Sequence, residues 1–275
     1  AMQAVRTLSI QIVKHQIQSR CLQRTVTVDV YLPAQYEGEK DISLLLINDG
    51  QNLPEMHFDA MLSGLIESGQ VQPLLCAAIH AGEDRRNEYA TAKIKDYEGR
   101  GGPIAQAYQQ FILEELLPHL HIQYRVDAFA TKSFAGFSMG GLCALDMVWN
   151  YPAEFTIAGV FSGSLWWRTK ALDAGYNEAT DRIMHQQVQE GVHHPGLRFY
   201  FTTGSLDETA DRNNNGIIDS IDDTLGLMAE LESKGYQTGK DIQYINYEDG
   251  RHDVATWGRA LPQFLLWGWG REAEE

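Results

Sequence analysis

Gly136-Phe137-Ser138-Met139-Gly140-Gly141 follows an apolar run from Phe129 to Phe137 and precedes a helical-looking run from Leu142 to Asn150. The pattern reads as strand, tight turn and helix, with a serine at the apex. Such a turn strains the serine backbone, and a Cβ at Gly136 or Gly140 would collide with the neighbouring strand or helix. In return the serine Oγ is exposed at a helix N-terminus, where backbone N–H groups can stabilise a developing oxyanion. G-x-S-x-G alone also describes an ordinary glycine-rich turn. The strand before it, the helix after it and Gly141 favour a nucleophile elbow.

The flanking segments point to an alternating architecture. Residues 8–18 and 25–32 alternate as half-buried strands do, and Pro33 ends the second. They read as an antiparallel pair. Ile42–Asn48 and Leu74–His80 are continuous apolar runs, as expected of parallel strands covered on both faces. Phe58–Ser68 has helical spacing, with Gly69 as a stop. A long polar loop, Ala81–Gly102, follows, and loops of that length are often functional. Ile104–Leu117 reads as an amphipathic helix stopped around Pro118. Beyond the elbow, strands are expected at Thr156–Phe161, Leu197–Thr202 and Ile242–Asn246. Helices are expected at Lys170–Gly191, Thr224–Lys234 and Val254–Trp267. Strands alternating with helices imply an α/β fold with a mostly parallel sheet and helices on both faces, here as one domain over residues 1–275. In such sheets ligands sit outside the carboxyl ends of the strands.

Composition narrows the partners. The 275 residues carry a net charge of −15, which argues against nucleic acid or an anionic membrane surface. No apolar run is long enough to span a membrane. Cys21, Cys76 and Cys143 show no metal or redox spacing, and buried thiols lean toward a reducing compartment. With no signal-peptide pattern visible, a cytoplasmic location is expected, although Ala1-Met2 precedes what reads as an internal start. The acidic end, Glu272-Ala273-Glu274-Glu275, reads as a solvated tail.

A serine hydroxyl needs an adjacent base, usually histidine. Of nine histidines, only His252 lies in a loop after the final strand and before the last helix. The orienting acid should fall between Ser138 and His252. Asp207, in the turn after the Leu197–Thr202 strand, meets that condition, and the adjacent Glu208 remains an alternative. The backbone N–H of Met139 and one from the first strand–helix loop, with Gln51 as the candidate, would form the oxyanion hole.

Leu46-Ile47-Asn48-Asp49-Gly50-Gln51, Arg86-Asn87-Glu88-Tyr89, Gly136–Gly141, Ser162–Trp167 and Gly250-Arg251-His252 together resemble the Putative esterase family of the α/β-hydrolases. That family includes enterochelin-type siderophore esterases, feruloyl and acetyl xylan esterases, S-formylglutathione hydrolase and mycolyltransferases. The resemblance runs from about residue 20 to 268. It implies the α/β-hydrolase fold, Ser138 as nucleophile, His252 as base and an oxyanion N–H at Gln51. It leaves the acid open between Asp207 and Glu208, and a serine–histidine dyad is also compatible with it.

Three further features bear on substrate and metal. Arg85-Arg86-Asn87-Glu88-Tyr89 either binds an acidic or phenolic substrate group through Arg86 or pins the long loop by an internal ion pair. Trp166 and Trp167 either line an aromatic acyl or sugar pocket or cap the core. Asp211-Arg212-Asn213-Asn214-Asn215-Gly216-Ile217-Ile218-Asp219-Ser220-Ile221-Asp222 resembles a calcium loop of the EF-hand or dockerin kind. Its ligands would be Asp211, Asn213, Asn215, the Ile217 carbonyl, Asp219 and Asp222; the bland alternative is a polar turn bonded to its own backbone. No cofactor is required for catalysis, and the calcium would be structural. The expectation is a serine carboxylic-ester hydrolase acting on a small-molecule ester of siderophore, feruloyl or acetyl-sugar type. An acyltransferase using the same triad is one alternative. A non-catalytic carbohydrate- or partner-binding module is another, although dockerins carry two loop copies and one is seen here.

Overall fold

A computed structural model describes residues 9–34, 36 and 41–272. Leu8 of the first expected strand and Ala273-Glu274-Glu275 of the expected tail lie outside the described residues. Eight strands form one sheet in the order β1-β2-β4-β3-β5-β6-β7-β8. They are β1 (Ile10–Ser19), β2 (Arg24–Pro33), β3 (Ser43–Asn48), β4 (Leu74–Ile79), β5 (Lys132–Phe137), β6 (Ile157–Phe161), β7 (Arg198–Leu206) and β8 (Ile242–Arg251). β1 and β2 pair antiparallel, as does β2 with β4, and all other pairings are parallel.

The apolar runs of β3 and β4 are continuous because both faces are covered. Leu44 and Leu46 join the apolar layer that holds α3 (Pro103–Gln110), α5 (Met139–Asn150), α6 (Ile183–Glu190) and α7 (Asp219–Ser233). Leu45 and Ile47 join the opposite layer, under α1 (Phe58–Glu67) and α8 (Val254–Trp269). Alternate side chains of one strand thus serve two cores. This is the mostly parallel sheet with helices on both faces that the strand–helix alternation implies, and the α/β-hydrolase fold that the family resemblance implies.

Several expected elements differ from those observed. The Ala81–Gly102 loop contains a short helix, α2 (Arg85–Glu88), α7 begins at Asp219 instead of Thr224, and β7 and β8 run on to Leu206 and Arg251. Pro118 does not stop its helix. Phe111–Leu116 forms a π-helical stretch after α3, and the chain continues as α4 (Leu117–Tyr124) with Pro118 in its first turn. The wider turns ahead of the proline accommodate its ring and missing N–H. The Lys170–Gly191 segment is helical only over Ile183–Glu190. Ahead of it, Asn177 and Asp181 side chains accept from the backbone N–H groups of Ala179 and Asn177. Such local bonds compete with the helix ladder.

The α6–α7 contact includes a buried histidine. His185 is 2% exposed and its Nε2 meets the Asp223 carbonyl at 2.8 Å. Burial, reinforced by Arg182, pushes its pKa down to about 3. Unfolding lets this group take up a proton below its ordinary value of 6.5, so its contribution to stability is lost as pH falls from that value toward the folded one. Between pH 7 and pH 5 we expect a loss on the order of 1–2 kcal/mol. Thermal melts of His185→Gln should show a flatter fall of Tm over this range than the parent protein; an equal slope refutes the assignment.

Candidate active site

Four neighbouring parallel strands end at one edge of the sheet, and each delivers a polar residue there. Phe137 pairs with Phe161, so Ser138 and Ser162 emerge side by side after β5 and β6. Leu206 pairs with Arg251, so Asp207 and His252 emerge side by side after β7 and β8. The second pairing requires an irregularity between Gly204 and Leu206. Gly204 also lies against the Gly250 backbone, where a Cβ would come within 2.4 Å of the Gly250 carbonyl oxygen.

Ser138 has φ 56° and ψ −122°, a strained conformation for a residue with a side chain. The elbow tolerates it because strand and helix close on each other. A Cβ on Gly136 would sit 2.2 Å from the Gly140 carbonyl oxygen. One on Gly140 would press on Asn48 Cβ at 3.0 Å. Asn48, at the end of β3, donates from Nδ2 to that same Gly140 carbonyl at 2.9 Å and accepts from Tyr108 Oη at 2.6 Å.

The Ser138 Oγ lies 2.9 Å from His252 Nε2. On the other side of the ring, Nδ1 faces Asp207 Oδ1 at 3.6 Å. That contact is longer than a formed hydrogen bond, and catalytic contacts are often loose before substrate binds. The Asp207 side chain is fully buried, whereas His252 is partly exposed. Burial pushes the Asp207 carboxyl up, but His252, the Gly204 N–H and the Ser220 and Ser162 hydroxyls together hold it below its ordinary value. Glu208 has a different environment. Among the described residues it has no hydrogen-bond or ion-pair partner, and burial plus the charges of Asp219, Asp223 and Asp207 raise its pKa to about 7. Of the two candidate acids, Asp207 is the one at the imidazole.

A cavity of about 440 Å³ opens over Ser138. Met139, Trp166, Trp167, Arg86 and Glu208 line it, as do Arg85 and Arg100. Trp167 is 1% exposed and carries the Arg100 guanidinium over its ring at 4.5 Å, so it serves the core and the cavity wall together. Trp166 is only partly buried. The arginine-rich loop divides its labour. Arg85 clamps Asp49 with two hydrogen bonds of 2.9 and 2.6 Å. Glu88 pairs with Arg24 through bonds of 3.0 and 2.6 Å. Arg86 is exposed at the cavity. Gln51 is not among the lining residues; it sits in a 3-10 turn after β3 and donates from Nε2 to Asp49 Oδ1 at 3.0 Å.

The acidic loop closes on itself. Asp222 Oδ2 accepts from Asn213 Nδ2 at 3.2 Å and Asn215 Nδ2 at 2.9 Å, and Asp211 accepts from the N–H groups of Asn215 and Gly216. Asp219 begins α7 and is engaged by Arg212. The expected ligands Asp211, Asn213, Asn215 and Asp222 therefore share one turn, while Asp219 faces a guanidinium. Ile217 is exposed there. Among the described residues, no three His, Cys, Asp or Glu side chains group so that they could hold a metal ion.

Sequence reasoning passed over Ser162, Ser164, Ser220 and Arg100. Ser164 Oγ lies 3.4 Å from Ser138 Oγ, and Ser162 lies within the quoted Ser162–Trp167 stretch. Serines in loops are too common to single out without the fold.

A family model described as "Putative esterase" matches residues 19–267. The chain belongs to that family. This esterase-family chain is also similar to several solved structures. The enterobactin esterase FES from Shigella flexneri, solved in the presence of 2,3-di-hydroxy-N-benzoyl-glycine, has a TM-score of 0.70 at 20% identity, over 95% of this chain and 60% of that one. The siderophore hydrolase EstB from Aspergillus nidulans has a TM-score of 0.68 at 16% identity, over 99% of each chain. A ferulic acid esterase has a TM-score of 0.68 at 18% identity, over 95% of this chain and 98% of that one. The uncharacterized protein YbbA of Bacillus subtilis (strain 168) is 24% identical over 147 residues, 52% of this chain. That match spans 58% of YbbA. At these identities the structural likeness establishes the α/β-hydrolase fold. Among the described residues no helix is long and apolar enough to cross a membrane.

Proposed function

We propose that this chain is a serine carboxylic-ester hydrolase acting through an acyl-enzyme. The observation that carries the reading is the 2.9 Å contact between Ser138 Oγ and His252 Nε2, with Asp207 behind the imidazole. Ser138 Oγ attacks the ester carbonyl carbon as His252 Nε2 takes its proton, and Asp207 stabilises the imidazolium. The Met139 N–H, with the Gln51 N–H as the second donor, holds the oxyanion. His252 returns the proton to the departing alcohol oxygen. Water, deprotonated by the same nitrogen, then cleaves the acyl-enzyme and restores Ser138.

The cavity volume suits a small or medium ester. Trp166 offers a partly exposed aromatic ring and Arg86 a cation, with Trp167 in the wall beside them, which supports a siderophore, feruloyl or acetyl-sugar ester. A fluorophosphonate probe tests the mechanism. Peptide mass mapping is expected to place a single adduct on Ser138, and an unlabelled protein or an adduct elsewhere overturns the reading. A panel of siderophore trilactone, feruloyl, acetyl-sugar and S-formyl substrates then ranks the acyl class.

A structural calcium ion in the Asp211–Asp222 loop would be held by Asp211, Asn213, Asn215, the Ile217 carbonyl and Asp222, and by Asp219 only through Oδ2, the carboxylate oxygen to which Arg212 donates no hydrogen bond. An ion that binds only the folded chain raises Tm, by about 2–4 °C per kcal/mol for a chain approaching this size. Melts with calcium and with chelator should differ by several degrees; coincident melts remove the ion from the scheme. The thiols of Cys76 and Cys143, buried and unpaired, support a reducing compartment such as the cytoplasm.

A further inference from the structure

Asp207 has an asymmetric set of partners. Its Oδ2 accepts from Gly204 N at 2.9 Å, Ser220 Oγ at 2.7 Å and Ser162 Oγ at 3.0 Å. Its Oδ1 accepts from the same Ser162 hydroxyl at 2.9 Å and faces His252 Nδ1 at 3.6 Å. A carboxylate turns easily about its last torsion, which is broad and two-fold. The loose histidine contact does not hold that torsion. Ser162 straddles both oxygens with one proton, so it does not distinguish them. The donors that do are Gly204 and Ser220.

Gly204 lies three residues before Asp207 and belongs to its own turn. Ser220 comes from elsewhere, as the second residue of α7, thirteen positions on and beyond the acidic loop. The loop sets where it stands. Asp219 N donates to the Ala210 carbonyl at 2.8 Å, and Asp219 Oδ1 accepts from Arg212 N at 3.0 Å. Those bonds tie the start of α7 to the chain that leaves Asp207. Ser220 is itself 8% exposed and lies at the cavity wall, and among the described residues its Oγ has no hydrogen-bond acceptor other than Asp207.

We propose that Ser220 is a positioning residue, whose hydroxyl anchors Asp207 Oδ2 and so keeps Oδ1 turned to His252 Nδ1. The acidic loop then has a purpose beyond its own fold, as the mount that carries Ser220. The inference rests on the reading of Ser138, His252 and Asp207 as a triad. Ser220 touches no reacting atom, and its effect passes through Asp207 alone.

A double-mutant cycle tests this on the full chain with p-nitrophenyl acetate. Removing a hydroxyl donor from a buried charged acceptor should lower kcat about ten-fold in Ser220→Ala, with KM unchanged within about two-fold. Ser220→Thr, which keeps the hydroxyl, should recover most of the loss. In an Asp207→Asn background, Ser220→Ala should cost less than about two-fold, because the group it positions is already gone. Equal losses in both backgrounds mean a general structural effect and overturn the proposal, as does a Ser220→Ala variant with unaltered kcat. A kcat for Asp207→Asn within about two-fold of the parent value is a separate result. It removes Asp207 from the triad and takes this proposal with it.

Discussion

Ser138→Ala is expected to lower kcat for a short p-nitrophenyl ester by roughly 10⁶-fold while the protein keeps its thermal stability. The hydroxyl is the only group removed, and the backbone at φ 56° is as strained with alanine as with serine. Residual hydrolysis of roughly 10³-fold over water would remain from the oxyanion donors and substrate binding. Unchanged turnover would end the serine-hydrolase reading. A loss accompanied by a collapsed Tm would trace to folding, and the melt separates the two results.

Asp207→Asn is expected to lower kcat by roughly 10⁴-fold. Asparagine keeps the shape but removes the charge that stabilises the imidazolium, and it can present an N–H to Nδ1, favouring the wrong tautomer. Glu208→Gln should stay within about ten-fold of the parent, since among the described residues Glu208 has no hydrogen bond to His252 or to any other side chain. The comparison also separates a triad from a serine–histidine pair, because a pair acting alone would leave Asp207→Asn nearly as active as the parent.

Much of the candidate site is legible in the sequence because its determinants are local. The G-x-S-x-G-G run announces a turn from glycine sterics alone, and the structure places a carbonyl oxygen where a Gly136 Cβ would go. His252 stood out because it follows the last strand, where ligand-facing groups gather. Boundaries were less readable. β8 extends to Arg251, five residues past the expected end at Asn246, because Tyr247 and Arg251 pair with Gly204 and Leu206 of β7 and the Gly250 backbone lies against Gly204. Composition does not report such a contact. Pro118 misled for a related reason, since the π-helical turns that absorb it leave no mark in the apolar periodicity.

By itself the sequence determined the strand–helix alternation, the elbow at Ser138 and the choice of His252. Each follows from residue types a few positions apart acting on their own backbone. Only the tertiary structure decided which carboxylate faces the imidazole, that the Ser220 hydroxyl donates to it from a helix beyond the acidic loop, and that Arg86 faces the cavity while Arg85 and Glu88 are locked in ion pairs. These depend on the register between β7 and β8 and on where distant loops come to rest. Register is a property of two strands together, so one residue of slippage would have brought Glu208 forward in place of Asp207.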